Sequence, residues 1–113
     1  MIERHQAIVA IMKHVGVDAL LLTTTGMISR EVFATQGRPS NFYMIGSMGL
    51  LSSFGLGLAL IAPNKRIVIL EGDGSALMSL GTLSLIGSES PENLLHIILD
   101  NEAYESTGGQ ASI

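Results

Sequence analysis

Apolar residues recur along this chain in two rhythms. Ile8, Ile11, Met12 and Val15 fall three and four apart, one face of an amphipathic helix over residues 3–15, with Gly16 at its end. Elsewhere the apolar residues run without interruption. Ala19-Leu20-Leu21-Leu22 lies within 18–23, and Arg66-Ile67-Val68-Ile69-Leu70 and Leu94-Leu95-His96-Ile97-Ile98-Leu99 follow later. Short apolar runs of this kind read as strands, and the β-branched content of 66–70 marks it as one buried on both faces. Phe42-Tyr43-Met44-Ile45 is a further short strand. Between the strands, Ser29 is placed to cap a short helix with Val32 and Phe33 facing in. A second helix runs from about 49 to 61, and Leu77, Leu80 and Leu83 mark a third over 76–86. Residues 36–41 with Gly37 and Pro39, the turn Pro63-Asn64-Lys65, and 87–93 with Pro91 are loops. Strands alternating with helices predict an α/β domain with a mostly parallel sheet and helices on both faces.

The helix over 49–61 is unusual for its small residues: Gly49, Ser52, Ser53, Gly55, Gly57 and Ala59. Glycine inside a helix costs up to ~1 kcal/mol against alanine. Close packing against the sheet, or against a helix of a partner chain, would offset that. Gly55-Leu56-Gly57 is not a dinucleotide fingerprint, because it lies inside a helix and not after a strand.

Composition narrows the function classes. The chain has 113 residues, room for one domain, and is 47% hydrophobic, enough for a core. Its net charge is −4 with no basic run, which argues against a nucleic-acid partner. With no cysteine, disulfides and thiolate metal sites are excluded. Met1-Ile2-Glu3-Arg4-His5 does not resemble a signal peptide, and no apolar stretch reaches membrane-spanning length, so a cytoplasmic location and no membrane are expected. His5 and His14 fall in or beside the first helix, where surface or capping roles are expected. His96, inside a strand, is expected to be a satisfied core residue.

The candidate chemistry gathers between Gly72 and Asn101. The run 66–70 leads into Gly72-Asp73-Gly74-Ser75, and the run 94–99 leads into Asp100-Asn101. The 25 residues 75–99 between Gly74 and Asp100 hold one helix and one strand, a βαβ unit. Asp73 and Asn101 then each lie just past the C-terminal end of a strand, the edge where open α/β sheets bind ligands. An acid and an amide set among glycines suit a hard cation such as Mg²⁺, which takes oxygen ligands and leaves room for phosphates. Gly72 and Gly74 are expected to allow a sharp turn and a close backbone approach. Ser75 is expected to start the next helix, where N–H groups and the dipole favour a phosphate. The plain alternative is a strand–turn–helix corner capped by Asp73 and Ser75, with Asn101 in an ordinary turn. Thr25 and Gly26 also follow a strand, as a capped turn or as a ligand loop.

Gly72-Asp73-Gly74, this interval and then Asn101 resemble the binding motif of thiamine diphosphate (TPP)-dependent enzymes. The resemblance implies Mg²⁺ held by the side chains of Asp73 and Asn101 and by the carbonyl of Ala103, with the ion gripping the cofactor's diphosphate. Where the family often has two Asn in a row, this chain has Asp100-Asn101, a departure that leaves the ligand in place. The flanks Gly46-Ser47-Met48-Gly49, Glu71-Gly72-Asp73-Gly74-Ser75 and Asp100-Asn101-Glu102-Ala103-Tyr104-Glu105-Ser106-Thr107-Gly108-Gly109-Gln110 resemble the phosphonopyruvate decarboxylase and sulfopyruvate decarboxylase group, over nearly the whole chain. Cofactor contacts are then expected from Thr25, Gly26, Gly46, Ser47, Met48, Gly72, Gly74, Ser75 and Tyr104. Met48 is either a core methionine or, by the resemblance, lies against the cofactor's rings.

The resemblance implies a TPP-binding fold of the diphosphate-binding type over residues 1–113, truncated at its C-terminus relative to domains that carry on through further helix and strand. It implies decarboxylation of 3-phosphonopyruvate to phosphonoacetaldehyde and CO₂, with 3-sulfopyruvate the close second. The runs 101–110 and 25–31 look nearer to the phosphonopyruvate member. An acetolactate-synthase-like carboligase and an inactive fragment are the rival readings. No catalytic residue is expected in this chain, since the family's activating glutamate lies in a separate pyrimidine-binding domain. Glu71 precedes the metal turn and by strand alternation points away from Asp73's neighbours or into the sheet. Glu102 and Glu105 lie on the metal loop, and Glu3, Glu31, Glu89 and Glu92 fall on helix starts or loops. A homo- or hetero-oligomer with a pyrimidine-binding domain or an alpha-type subunit is therefore expected.

Overall fold

The computed structural model describes residues 4–16, 18–24, 27–35, 37–44, 49–78, 80–99, 103–104 and 110–111. Four parallel strands form the sheet: β1 (Leu20–Thr23), β2 (Asn41–Tyr43), β3 (Ile67–Gly72) and β4 (Leu94–Leu99), in the order β2-β1-β3-β4. Helices α1 (Arg4–His14) and α2 (Met27–Thr35) pack together. Helices α3 (Leu51–Ile61), α4 (Asp73–Leu77) and α5 (Leu80–Glu89) complete the larger elements. A separate antiparallel pair joins β5 (Ala103–Tyr104) to β6 (Gln110–Ala111).

Strand pleating divides the core in two. On one face Leu21 of β1 and Val68 and Leu70 of β3 meet Ile8 and Met12 of α1 and Ile28 and Val32 of α2. On the other, Leu22, Ile67 and Ile69 meet Leu51 and Ala59 of α3. β3 is therefore apolar at consecutive positions because both of its faces are covered.

The chain steps from β1 outward to β2, then back past β1 to β3 and on to β4. With right-handed crossovers this sends α2 to one face and α3 and α5 to the other. The order reverses between β1 and β3, and the crevice outside their carboxyl ends is the ligand position of doubly wound sheets. Thr24 follows β1 there, its N–H donating to the Leu70 carbonyl at 3.1 Å.

Several expectations need correction. The helix foreseen over 76–86 is two helices, α4 and α5, and α5 runs to Glu89, so Gly87 is helical and not in a loop. α2 begins at Met27, which puts Ser29 inside it. Its hydroxyl lies against the Thr24 carbonyl and 2.8 Å from Thr23 Oγ1, tying the helix to the end of β1. Phe33 does not face in: it is 67% exposed and meets Tyr43 edge-on at 5.9 Å. Ile28 and Val32, one turn apart, occupy the inward face, and Phe33 lies about 100° further round. The stretch after Asn101, read from the sequence as the metal loop, contains the strand pair β5 and β6. Asn93 closes the amino-terminal edge, its Nδ2 within 3.1 Å of the Ala59 and Ala62 carbonyls and 2.8 Å of the Lys65 carbonyl.

The glycines of α3 separate into two kinds. A Cβ on Gly55 would lie 2.4 Å from Ile69 Cδ1 and 2.7 Å from its Cγ1, whereas one on Gly57 would meet nothing within 4 Å. Gly55 is thus set by close approach to the sheet. Gly55→Ala should destabilise the protein by about 1–3 kcal/mol through overpacking, and Gly57→Ala should stabilise it by about 0.5–1 kcal/mol. Urea denaturation midpoints at unchanged slope measure both.

Candidate functional site

Strand register builds the site. β3 pairs with β4 so that Gly72 stands opposite Leu99. The two strands therefore end level, and Asp73 leaves the sheet beside the end of β4 at Leu99. α4 starts at once, with Gly72 as its N-cap and Asp73 in its first turn. α4 lies beside both β4 and β5, so the main chain at Ala103 and Tyr104 returns to the same corner. Asp73 is half-buried, while Gly74 and Ser75 are buried.

The turn does not depend on glycine in the way expected. Gly72 has φ −86 and ψ 166, extended backbone that any residue adopts, and a Cβ there would make only ordinary contacts, the nearest at 3.6 Å from Ile28 Cδ1. The sharp corner comes from a helix that starts directly at the strand's end. Ser75 does not start that helix: it is the third residue of α4. Its hydroxyl does not serve as a cap either, because it donates to Glu71 Oε1 at 2.7 Å.

Glu71 has partners that the sequence did not reveal. Its side chain points into the fold, one of the two directions expected, and not away from the neighbours of Asp73. It is fully buried and reaches Ser75, two residues beyond Asp73, while its Oε2 pairs with His96 Nε2. His96 is the satisfied core histidine that was expected, and the partner that satisfies it is this carboxylate. The signal was available in the register. Ile69 pairs with His96, so Ile69, Glu71 and His96 all lie on the α3 face of adjacent strands.

The left-handed glycine of the site is Gly49, at φ +95. A Cβ there would lie 2.7 Å from Met78 Cβ, so close approach and backbone conformation both demand glycine. Its N–H donates to Ser75 Oγ at 3.3 Å. Gly49 thus ties the start of α3 to α4. Of the other expected site residues, Thr25, Gly26, Gly46, Ser47, Met48 and Asn101 lie outside the described residues. Ala103 and Tyr104 are described as backbone in β5, opposite Ala111 and Gln110.

The donor chemistry fits a hard cation. Among the described residues no three His, Asp or Glu side chains converge as a metal cluster. Asp73 brings one carboxylate to this corner, and the main chain of β5 lies close to α4. One carboxylate with neutral oxygens leaves positions for phosphate oxygens and water, as Mg²⁺ sites on phosphorylated ligands do. Among the described residues, no helix is long and apolar enough to cross a membrane.

Known proteins give this corner a context. The chain is 49% identical over 108 residues to the protein named sulfopyruvate decarboxylase subunit beta of Methanocaldococcus jannaschii, covering 96% of this chain and 57% of that one. It is 46% identical over 96 residues to the phosphonopyruvate decarboxylase of Streptomyces viridochromogenes, covering 85% of this chain and 24% of the relative. Identity to the sulfopyruvate decarboxylase of Methanosarcina acetivorans is 50% over 93 residues, covering 82% and 24%. The chain thus spans between a quarter and three fifths of the length of these relatives. Residues 22–113, from β1 through the Asp73 corner to β6, match the family described as thiamine pyrophosphate enzyme, C-terminal TPP binding domain. With four fifths of the chain inside that match, and a parallel sheet whose switch point carries the Gly72-Asp73-Gly74 corner, the chain belongs to the TPP-binding C-terminal domain family of thiamine pyrophosphate enzymes.

Proposed function

We propose that this chain is the diphosphate- and Mg²⁺-binding part of a TPP-dependent 2-oxo acid decarboxylase that converts 3-phosphonopyruvate to phosphonoacetaldehyde and CO₂. The observation that carries the reading is the level ending of β3 and β4, Gly72 opposite Leu99, with β5 returning beside α4. In this reading the Asp73 and Asn101 side chains and the Ala103 carbonyl hold Mg²⁺. The main-chain N–H groups of Gly74 and Ser75, with Thr25 and Gly26 opposite, hold the diphosphate. Gly46, Ser47 and Met48 line the path of the cofactor towards its rings, with Gly72 and Tyr104 at the metal end. TPP, when bound, supplies the electron sink for loss of CO₂. In the net reaction the bond from C2 to the carboxylate breaks, its electron pair stays with C2, and a proton takes the vacated position.

The second reading, 3-sulfopyruvate as substrate, is favoured by the relative named subunit beta, which aligns with 96% of this chain. Phosphonate and sulfonate differ in charge and protonation, so the discriminating contacts lie at the substrate's distal anion and not at the metal corner.

Catalysis needs a second polypeptide or domain in this reading. Among the described acidic residues, Glu31 pairs with Arg4 at 2.9 Å and Glu71 is committed to Ser75 and His96, while Glu89 and Glu92 are exposed on the α5–β4 side. None stands over the crevice as the activating acid. The apolar residues Phe54 and Ile61 of α3 and Leu80 and Leu85 of α5 are exposed, and among the described residues of α5 none is buried. A patch of this kind suits a protein interface, here with a pyrimidine-binding domain or alpha-type subunit.

Asp73→Ala should abolish Mg²⁺-dependent TPP binding in the assembled protein, measured by titration calorimetry; unchanged affinity would refute the metal assignment. The purified chain with Mg²⁺ and TPP should turn over neither substrate at an ordinary enzymatic rate, on the order of 1 s⁻¹. Supplied with its pyrimidine-binding partner, it should decarboxylate phosphonopyruvate with a higher kcat/KM than sulfopyruvate. The reverse order would favour the second reading.

A further inference from the structure

Beneath the corner lies a chain of hydrogen bonds that joins four segments. Gly49 N–H, at the entry to α3, donates to Ser75 Oγ on α4; Ser75 Oγ donates to Glu71 Oε1 at the end of β3; Glu71 Oε2 pairs with His96 Nε2 on β4. Glu71 is fully exposure-free, and Ser75 is 2% exposed. A buried carboxylate is costly unless both oxygens are satisfied, and here both are. An apolar pair would fill the same space at no such cost, so packing does not require the charge.

What the carboxylate does is orient Ser75. The hydroxyl has one proton, and Glu71 takes it, which turns the oxygen's lone pairs towards Gly49. Gly49 in turn fits only as glycine, with φ +95 and Met78 Cβ 2.7 Å from where its own Cβ would stand. Position and orientation of this backbone are thus held from two sides. Gly49 ends the run Gly46-Ser47-Met48-Gly49, and Ser75 lies two residues past Asp73.

We propose that Glu71, braced by His96, is a positioning residue that acts through the Ser75 hydroxyl to set Gly49, at the entry to α3, in register with the Asp73 corner. The role rests on the reading of the site given above, in which these two segments hold different parts of one TPP molecule. In that reading Glu71 contacts neither ligand nor metal and fixes the spacing between Gly49 and Ser75.

The test uses the assembled protein and two readouts. The first is TPP affinity at saturating Mg²⁺, by calorimetry, for Glu71→Gln, Ser75→Ala and the double variant. Each single change should weaken binding about tenfold, the scale of losing a hydrogen bond to a charged group. The double variant should be no weaker than the worse single one, because both break the same chain. The second readout needs no cofactor: amide exchange at Gly49 should speed up in each variant relative to the wild type. His96→Gln, which keeps an N–H donor, should bind TPP better than His96→Ala. If Glu71→Gln does not fold, Ser75→Ala and the His96 pair carry the same comparison, since Ser75→Ala leaves the carboxylate paired with His96. Folded variants that bind TPP as the wild type does, or whose effects simply add, would overturn the role of Glu71. A wild type that binds no TPP would instead overturn the reading of the site, a different and separately visible result.

Discussion

The parallel pairing of β3 with β1 on one edge and β4 on the other is the constraint on which the rest depends. Leu20 to Thr23 stand opposite Ile67 to Leu70, and Ile67 to Gly72 stand opposite Leu94 to Leu99. Because side chains alternate strictly along a strand, this register decides at once which residues meet α1 and α2, which meet α3, and which loops leave the same edge. A slip of one residue would turn Val68 and Leu70 out of one core, and would bring Glu71 out from beneath the corner.

The same register explains how a charged residue comes to lie in the core. Ile67, Ile69 and Glu71 share a face, and the first two are closed over by Leu51, Leu22 and Ala59. By Glu71 the strand has reached the edge where α3 begins and α4 departs, and the apolar cover gives way to Ser75 and His96. The transition from apolar to polar burial along one strand face marks where apolar packing ends and the Asp73 corner begins.

The two halves of the sheet are unequally covered. α1 and α2 cover the β1 and β3 part of one face through Ile8, Met12, Ile28 and Val32, leaving Leu95 of β4 partly exposed. On the other, α3 is closely seated, with Gly55 against Ile69, but α5 leaves Leu80 and Leu85 exposed and β4 keeps Ile98 more than a third exposed. The exposed apolar surface lies on the elements that lead to and from the Asp73 corner.

Much of this was legible in the order of residues. The runs 19–22, 66–70 and 94–99 announce buried strands because a strand covered on both faces needs apolar residues at consecutive positions, and the spacing of Ile8, Met12 and Val15 announces a helix with one buried face. The Gly72-Asp73-Gly74 corner and its distance from Asn101 carry the family, because a βαβ unit of that length delivers both strand ends to one edge. Three-dimensional packing decided the rest. Phe33 is apolar, but Val32 already holds the inward position, and sequence spacing alone does not say which of two adjacent residues wins it. The break between α4 and α5 falls within a run that keeps its helical spacing throughout. Glu71 looked idle, since its partners Ser75 and His96 lie 4 and 25 residues away and are brought to it by a helical turn and by strand pairing. Gly49 and Gly57 are the same residue in the same stretch, yet one is required and the other is not, because only the tertiary fold puts Met78 against the first and leaves open space beside the second.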